Sequence, residues 1–425
     1  MGRRGRSGRR AAAVVTAGIT ALLIAACGSS STGGSSASSS SGGSSGGGSS
    51  QKSLPTYTIA FDGPLSGPYG SAGLVSLAGL KAGVDYANTL GIAHFKYTIA
   101  DSGGDASTGV SIARKAGQDG ANALMTGTTE FAAVQPVANQ YKMFTADGGG
   151  FTGIQSQVGT DKEFKWAFCP NTACGASTVL PEVKFLSQVD PHGKIGELYS
   201  NDPYGTGTAQ LVGPLVKSEF PQVKMISQSF PLTATSVVSQ LTSLKNAGAT
   251  SLLVWTYGTP LVMVMQSLNS MGWYPYLVGP LGVGDPAVVK AMPAKLKGKA
   301  IAGGIASSQV ASKPGAHATG LNAEYFKYYQ KYAGGNGTYN GLDTVSSYGF
   351  DFVLILADAI KATGSTNAEK MLAWITAGHV IQTSEGPQHF GPNGAERVGT
   401  SLATTTVYDP QYPCTYGVCV APQNP

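Results

Sequence analysis

Short apolar runs alternate with stretches of helical period from residue 57 onward. Runs at 57–61 (YTIAF), 95–100 (FKYTIA), 123–127 (ALMTG), 194–200 (KIGELYS), 223–230 (VKMISQSF) and 251–255 (SLLVW) have the length and composition of strands. After the first run, Leu77, Leu80, Val84 and Ala87 recur at i, i+3, i+7 and i+10, one stripe of a helix. Val237, Val238, Leu241 and Leu244 form a second such stripe, and 347–362 (SYGFDFVLILADAIKA) is the most apolar helix, expected to pack deep in one lobe. Repeated strand-then-helix units predict parallel sheets with helices on both faces. The units are too many for one comfortable sheet, and a new series starts near CPNTACGAS (169–177). The pattern therefore predicts an α/β chain of two similar lobes, with the chain crossing between them.

The N-terminus follows a different pattern. Five arginines (Arg3, Arg4, Arg6, Arg9, Arg10) precede an apolar stretch at 11–26, too short for a comfortable membrane span and shaped like an export signal. LIAAC at its end resembles a bacterial lipobox, which makes Cys27 the expected lipidated residue of the mature chain. Paired arginines leave twin-arginine export open beside the general route. Residues 28–53 are almost wholly Gly and Ser, a flexible tether with an r.m.s. reach of about 28 Å. It has nothing to bury and does not fold alone. Of 28 basic residues five lie in the signal, leaving 23 against 23 acidic ones, so charge gives no reason to expect nucleic acid. Only Arg114 and Arg397 remain as arginines after cleavage. The other four cysteines form two C-x4-C pairs, Cys169 with Cys174 and Cys414 with Cys419. In an exported chain these are expected to be disulfides, paired locally. Cross-pairing and a four-thiolate zinc site are the alternatives.

The glycine-rich stretch FDGPLSGPYGSAG (61–73) joins the first strand to the first helix, a place where backbone N–H groups can face a ligand. It is not a phosphate loop, because no lysine follows its glycines until Lys81. YGTGTAQ (204–210) lacks the third glycine of a dinucleotide motif. No G-x-S-x-G or H-E-x-x-H occurs, and the five histidines stand apart in sequence. Nothing assembles a nucleophile, a base and an orienting group, so neither catalysis nor a metal or cofactor is expected. What recurs instead is a set of turns at strand ends: GPLSGPYG, TGTTEF (126–131), TADGGG (145–150), SNDPYGTG (200–207), WTYGTP (255–260) and GPLGVGD (279–285). Ligands of open α/β sheets bind beyond the carboxyl ends of strands, so these turns are candidates to line one cleft.

Several of these motifs also fall in an order and spacing that resembles a known family. PLSGPYG, DSGGDAS (101–107), NDPYG, GPLGVGD, SYGFDFVLILADAI and FGPNG (390–394) together are similar to type I periplasmic binding proteins of the branched-chain amino acid class, over residues 57–399. The resemblance implies a two-lobed clamp that serves an ABC importer and closes on its ligand by a hinge motion. It implies ligand contacts at Tyr69 after a two-residue shortening of the loop, and at Tyr204 and Tyr257 without a gap. Asp147, Gly148 and Gly149 occupy the turn that binds the ligand carboxylate in that family, and the family's threonine there is lost. A further carboxylate-binding serine falls on Phe131, with Thr128 and Thr129 just before it.

Leu281 is the most informative departure. Amino-acid binders of the family carry a glutamate there to pair the ligand's ammonium. Leucine supplies no charge, and burying an unpaired ammonium costs several kcal/mol. The expected ligand is therefore a small organic solute other than a simple α-amino acid, unless Asp147, Asp202 or Asp285 takes over the amine. Tyr69, Phe131, Tyr204, Tyr257 and Trp255 suit a flat or apolar molecule. The expected layout is signal 1–26, anchored linker 27–54, first lobe 55–170 and 306–383, and second lobe 171–305 and 384–425. The expected function is a monomeric, lipid-anchored solute-binding protein on the outer face of the cytoplasmic membrane, partnered by permease subunits. A tethered ligand sensor for a signalling receptor is the alternative reading, and a lipid-anchored hydrolase is a more distant one.

Overall fold

A computed structural model describes residues 53–148, 162–168, 170, 176–279, 281–284, 286–296, 299–303, 319–333, 344–391, 394–397, 405–407, 414–415 and 418–419. The signal, the tether with Cys27, and Gly149, Cys169, Cys174 and Asp285 lie outside the described residues.

The first sheet has four parallel strands in the order β2-β1-β3-β4: β1 Thr56–Gly63, β2 His94–Asp101, β3 Ala123–Thr126 and β4 Phe144–Asp147. Helices α1 (Gly70–Thr89), α2 (Ala106–Gln118) and α3 (Phe131–Tyr141) connect them. β1 lies between β2 and β3, with Ile59 opposite both Tyr97 and Ala123. Its last five residues are all buried, as a central parallel strand covered on both faces requires. β2, at the edge, buries little more than Phe95.

The second sheet has six strands in the order β13-β9-β8-β7-β5-β6. β5 Lys194–Ser200, β6 Lys224–Phe230, β7 Ser251–Trp255, β8 Tyr276–Gly279 and β9 Ala300–Gly303 run parallel, and β13 Thr405–Val407 adds antiparallel to β9. Its helices are α4 (Ala176–Val189), α5 (Pro203–Glu219), α6 (Val238–Asn246), α7 (Gly258–Met271) and α8 (Pro286–Ala291). Then follow α9 (Gly320–Ala333), α10 (Thr344–Thr363) and α11 (Ala368–Ile375). A three-stranded antiparallel sheet is built from β10 Ile381–Thr383, β11 Gly386–Gly391 and β12 Gly394–Arg397. The hairpin β14 Cys414–Thr415 and β15 Val418–Cys419 sets Cys414 directly opposite Cys419. No helix among the described residues is long and apolar enough to cross a membrane.

All six predicted strands form, and the predicted stripe Leu77, Leu80, Val84 and Ala87 is buried along α1. β4, β8 and β9 were not predicted. Each has four residues and is flanked by glycine, proline or lysine, too short a run to show a period. α1 also begins earlier than the pattern predicts, at Gly70, inside the glycine-rich stretch.

α10 joins two cores. Tyr348, Phe352, Val353, Ile355 and Leu356 pack with the first sheet, while Phe350 and Leu354 pack with residues of α6, α7, β7 and α9. α1 lies against α10 at van der Waals distance between backbones. A Cβ on Gly79 would stand 1.7 Å from the Ser346 carbonyl oxygen, and one on Gly83 would stand 2.9 Å from Phe350 Cα. Neither neighbour is a flexible side chain that could step aside.

Gly79→Ala should therefore cost about 1–3 kcal/mol or more of stability through overpacking. Gly207→Ala, at a helical site in α5 with no atom within 4 Å of the new Cβ, should instead add roughly 0.5–1 kcal/mol. Denaturant unfolding of both variants checks the pair of signs, and an unchanged midpoint for Gly79→Ala would contradict the packing account.

Candidate functional site

The turns at the carboxyl ends of β1, β3, β4, β5 and β7 converge where the two sheets face each other. Residues 64–69, between β1 and α1, form the centre of this region. The Leu65 N–H donates to Asp101 Oδ1 at 2.8 Å, which ties the loop to the end of β2. α1's first turn lies against the loop: a Cβ on Gly73 would stand 2.0 Å from the Pro64 carbonyl oxygen. That contact accounts for a glycine that the sequence pattern leaves unexplained. At its far end the loop meets the second sheet, where the Thr259 N–H in the first turn of α7 donates to the Pro68 carbonyl at 3.1 Å.

Tyr69 closes the loop and is 2% exposed. Its ring stacks on Tyr257, with centroids 4.1 Å apart and planes at 25°. Tyr204 meets Tyr257 edge-on at 5.0 Å and 84°. The Tyr69 hydroxyl donates to Asp202 Oδ2. Asp202 is the N-cap of α5, with Pro203 following it at the first helical position, and its Oδ1 accepts from the Gly205 N–H and from Ser200 Oγ, both at 2.8 Å. Burial and the charge of Asp202 push the Tyr69 hydroxyl well above the ordinary phenol range, so it stays a donor.

The first-sheet wall consists of Thr128, Asp147, Gly148 and Ser76. Thr128 Oγ1 donates to Asp147 Oδ1 at 2.8 Å, and Ser76 Oγ donates to the Gly148 carbonyl at 2.6 Å. Between this wall and Tyr257 is a cavity with about 10 Å³ of room for the centre of a water-sized sphere, space for about one water molecule. No Lys, Arg or His is among its described lining residues.

Of the residues singled out by sequence, Tyr69, Tyr204, Tyr257, Asp147 and Gly148 come together here. Leu281 opens the 3₁₀ turn Leu281–Gly284, whose Gly282 lies against Tyr257. Phe131 points elsewhere, and the hydroxyl of Thr129 is engaged within its own turn. Thr129 Oγ1 donates to Glu130 Oε2 at 2.5 Å, and Phe131 packs on Phe164 in a small separate cluster. Trp255 is tied to the second sheet through its indole N–H, which donates to Glu197 Oε1 at 3.0 Å. Sequence reasoning passed over Ser76 and Ser200, since a lone serine in a helix or at a strand end carries no signal.

It also passed over a buried acid pair beneath the wall. Asp62 and Glu130 are both fully buried. Glu130 accepts from Ser102 Oγ and from Thr129, while Asp62 Oδ2 accepts a long 3.4 Å contact from Thr126 Oγ1. Asp62 Oδ1 has no hydrogen-bond partner among the described residues. The pair supports the turn at Gly127, where a Cβ would stand 2.5 Å from Glu130 Oε2. Burial first, and then the nearby Glu130 charge, push Asp62 up to about 7 from an ordinary 3.8.

The folded chain therefore holds a proton on Asp62 that the unfolded chain has released between these values. The stability this contributes is complete below pH 3.8 and is lost as pH rises through about 7. Asp62→Asn should raise the thermal midpoint, relative to the parent, more at pH 8 than at pH 5. An equal difference at the two pH values would contradict this account of Asp62.

Comparison with known proteins agrees with this architecture. Solved structures of the same fold include a solute-binding protein of an ABC transporter from Rhodopseudomonas palustris in complex with 4-hydroxybenzoate. Its TM-score is 0.65 at 16% identity, covering 87% of this chain and 96% of that one. A fatty acid ABC transporter substrate-binding protein from Thermomonospora curvata matches with a TM-score of 0.67 at 16% identity, over 88% and 94%. A branched-chain amino acid transporter substrate-binding protein from Streptococcus pneumoniae, in complex with isoleucine, matches with 0.64 at 15%, over 87% and 100%. No curated protein matches the chain. The family model described as "Periplasmic binding protein" matches residues 56–407, and the chain belongs to that family.

Proposed function

We propose that the chain is the solute-capturing lipoprotein of an ABC importer, anchored through Cys27, tethered by the Gly/Ser segment, and acting as a monomer with permease subunits as its partners. The ligand is a small organic solute held between the two lobes. One observation carries this reading: Tyr69, Tyr204 and Tyr257 from both sides of the cleft meet beside Asp202, with Asp147 on the opposite wall. Such a site offers apolar area and a few aimed hydrogen-bonding groups, the usual make-up of a small-molecule pocket. The solved relatives hold or are named for 4-hydroxybenzoate, fatty acid and isoleucine, so membership of the fold leaves the ligand open. The residues of this cleft narrow it. No Lys, Arg or His among the described lining residues offers a partner to a ligand carboxylate, and Leu281 offers none to an ammonium.

Thermal-shift screening of the purified chain against amino acids, phenols, aromatic acids and fatty acids tests this, since a ligand at 100 times its Kd adds about 2.7 kcal/mol. Leucine, isoleucine and valine should give no shift, and Leu281→Glu should gain leucine binding. Micromolar leucine binding by the parent chain would overturn the assignment.

The anchor and the cysteine pairing are read in one further measurement. The register of β14 and β15 supports a Cys414–Cys419 bond, because directly opposed residues of an antiparallel pair have Cα atoms about 4.5–5.5 Å apart, within disulfide range. Non-reducing peptide mapping of the exported chain should yield linked 414–419 and 169–174 peptides and a lipid on Cys27. Cys27→Ser should then appear in the medium or stay unprocessed. A Cys27→Ser chain that remains membrane-bound at mature size, or a peptide joining the two cysteine regions, would refute the respective assignment.

A further inference from the structure

We propose that the second-lobe face of the cleft is a subsite for an aromatic ring carrying an O–H or N–H donor, and that the phenol of Tyr69 occupies it as a built-in competitor. The inference rests on the reading of the cleft as the ligand site and names the chemistry that this part of it selects.

Three features of the second lobe define the subsite. The face of Tyr257 receives a ring at stacking distance, 4.1 Å between centroids. The Tyr204 ring abuts Tyr257 edge-on at 5.0 Å, which holds the Tyr257 plane in place. The Asp202 carboxylate is fixed from behind by Gly205 and Ser200 through Oδ1, so Oδ2 is presented to the cleft. All three groups come from β5, α5 and the β7–α7 turn, and none depends on the first lobe for its position. What fills the subsite comes from the first lobe: a phenol, ring on Tyr257 and hydroxyl on Asp202.

Complementarity then specifies the ligand group. A ring without a donor would leave Asp202 Oδ2 desolvated and unpaired, which is costly for a charged acceptor. A ring bearing a carboxylate at that end would bring two like charges together. A phenol or an aromatic amine meets both requirements. With room for only about one water molecule beside Tyr257, such a ring enters only as Tyr69 withdraws with its loop. Tyr69 is attached to the first lobe by the 64–69 loop, which meets the second lobe at Pro68 through a backbone hydrogen bond of 3.1 Å from Thr259 and close packing against Gly258.

The test uses 4-methylphenol, which reproduces the tyrosine side chain, with toluene as the control that lacks the hydroxyl. Calorimetry on the full chain compares the parent, Tyr69→Phe and Tyr69→Ala. Affinity for 4-methylphenol should rise in that order, because the competitor first loses its hydrogen bond and then its ring. Toluene should bind Tyr69→Ala roughly tenfold or more weakly than 4-methylphenol does, the factor expected of one hydrogen bond to a charged group. Tyr69→Phe keeps the ring and its packing, so the ranking stays readable if Tyr69→Ala is poorly folded. Equal affinity across the three chains, or toluene binding as well as 4-methylphenol, overturns the subsite. The metabolite screen reads solute capture separately: a ligand found there alongside a flat 4-methylphenol ranking removes the ring assignment alone.

Discussion

The contact between α1 and α10 is the constraint on which the rest of the molecule depends. Glycines at 79 and 83 let the two helices touch along their backbones, and no side chain intervenes to set a looser spacing. α10 contributes to both large apolar clusters, one around the first sheet and one reaching the second. Position and tilt of α1 are thereby referred to both cores at once. The first turn of α1 carries the loop that ends in Tyr69, so the cleft inherits its geometry from a packed interior and not from the loop itself. Rigid support of this kind is what a binding site needs if a few polar groups are to select a ligand.

Within the cleft the polar groups are organised before any ligand contributes. Asp202 caps a helix and is held by a serine from the preceding strand, and Asp147 is held by Thr128. Each carboxylate keeps its orientation through neighbours of its own lobe, which lowers the ordering cost on binding. The same design carries an electrostatic consequence. Asp147 and Asp202 stand at the cleft, and beneath the first-lobe wall a second acid pair, Asp62 and Glu130, is buried among hydroxyls. Burial of so much acidic character costs free energy unless protons or hydrogen-bond donors compensate it. Burial, with Glu130 nearby, pushes Asp62 toward its protonated form, and Glu130 accepts from two hydroxyl donors.

The solved relatives give the cleft a context without settling its chemistry. At about 16% identity they share the two-lobed scaffold while their ligands range from an aromatic acid to isoleucine. Selectivity in such a scaffold resides in the few side chains at strand ends. At the strand ends that meet in this chain's cleft stand three tyrosines and two aspartates.

The sequence by itself determined the class of fold. Buried parallel strands require runs such as SLLVW at 251–255, and amphipathic helices require stripes such as Leu77, Leu80, Val84 and Ala87; both patterns are local and survive translation into structure. Only the tertiary structure decided the rest. Strands of four residues, such as β4 and β9, exist because a neighbouring strand pairs with them, which no local period reveals. The early start of α1 at Gly70 follows from a loop folded back on it, with Pro64 against Gly73. Phe131 and Tyr69 both stood in strand-end turns, yet one faces Phe164 and the other Tyr257, because a side chain's direction depends on the turn's backbone and on what packs behind it. The pairing of Tyr69 with Asp202 spans 133 residues, and the acid pair of Asp62 and Glu130 joins the ends of two strands. The first juxtaposition arises only when two sheets close on each other and the second only when β1 pairs with β3, so their chemistry is a property of the fold and not of any segment.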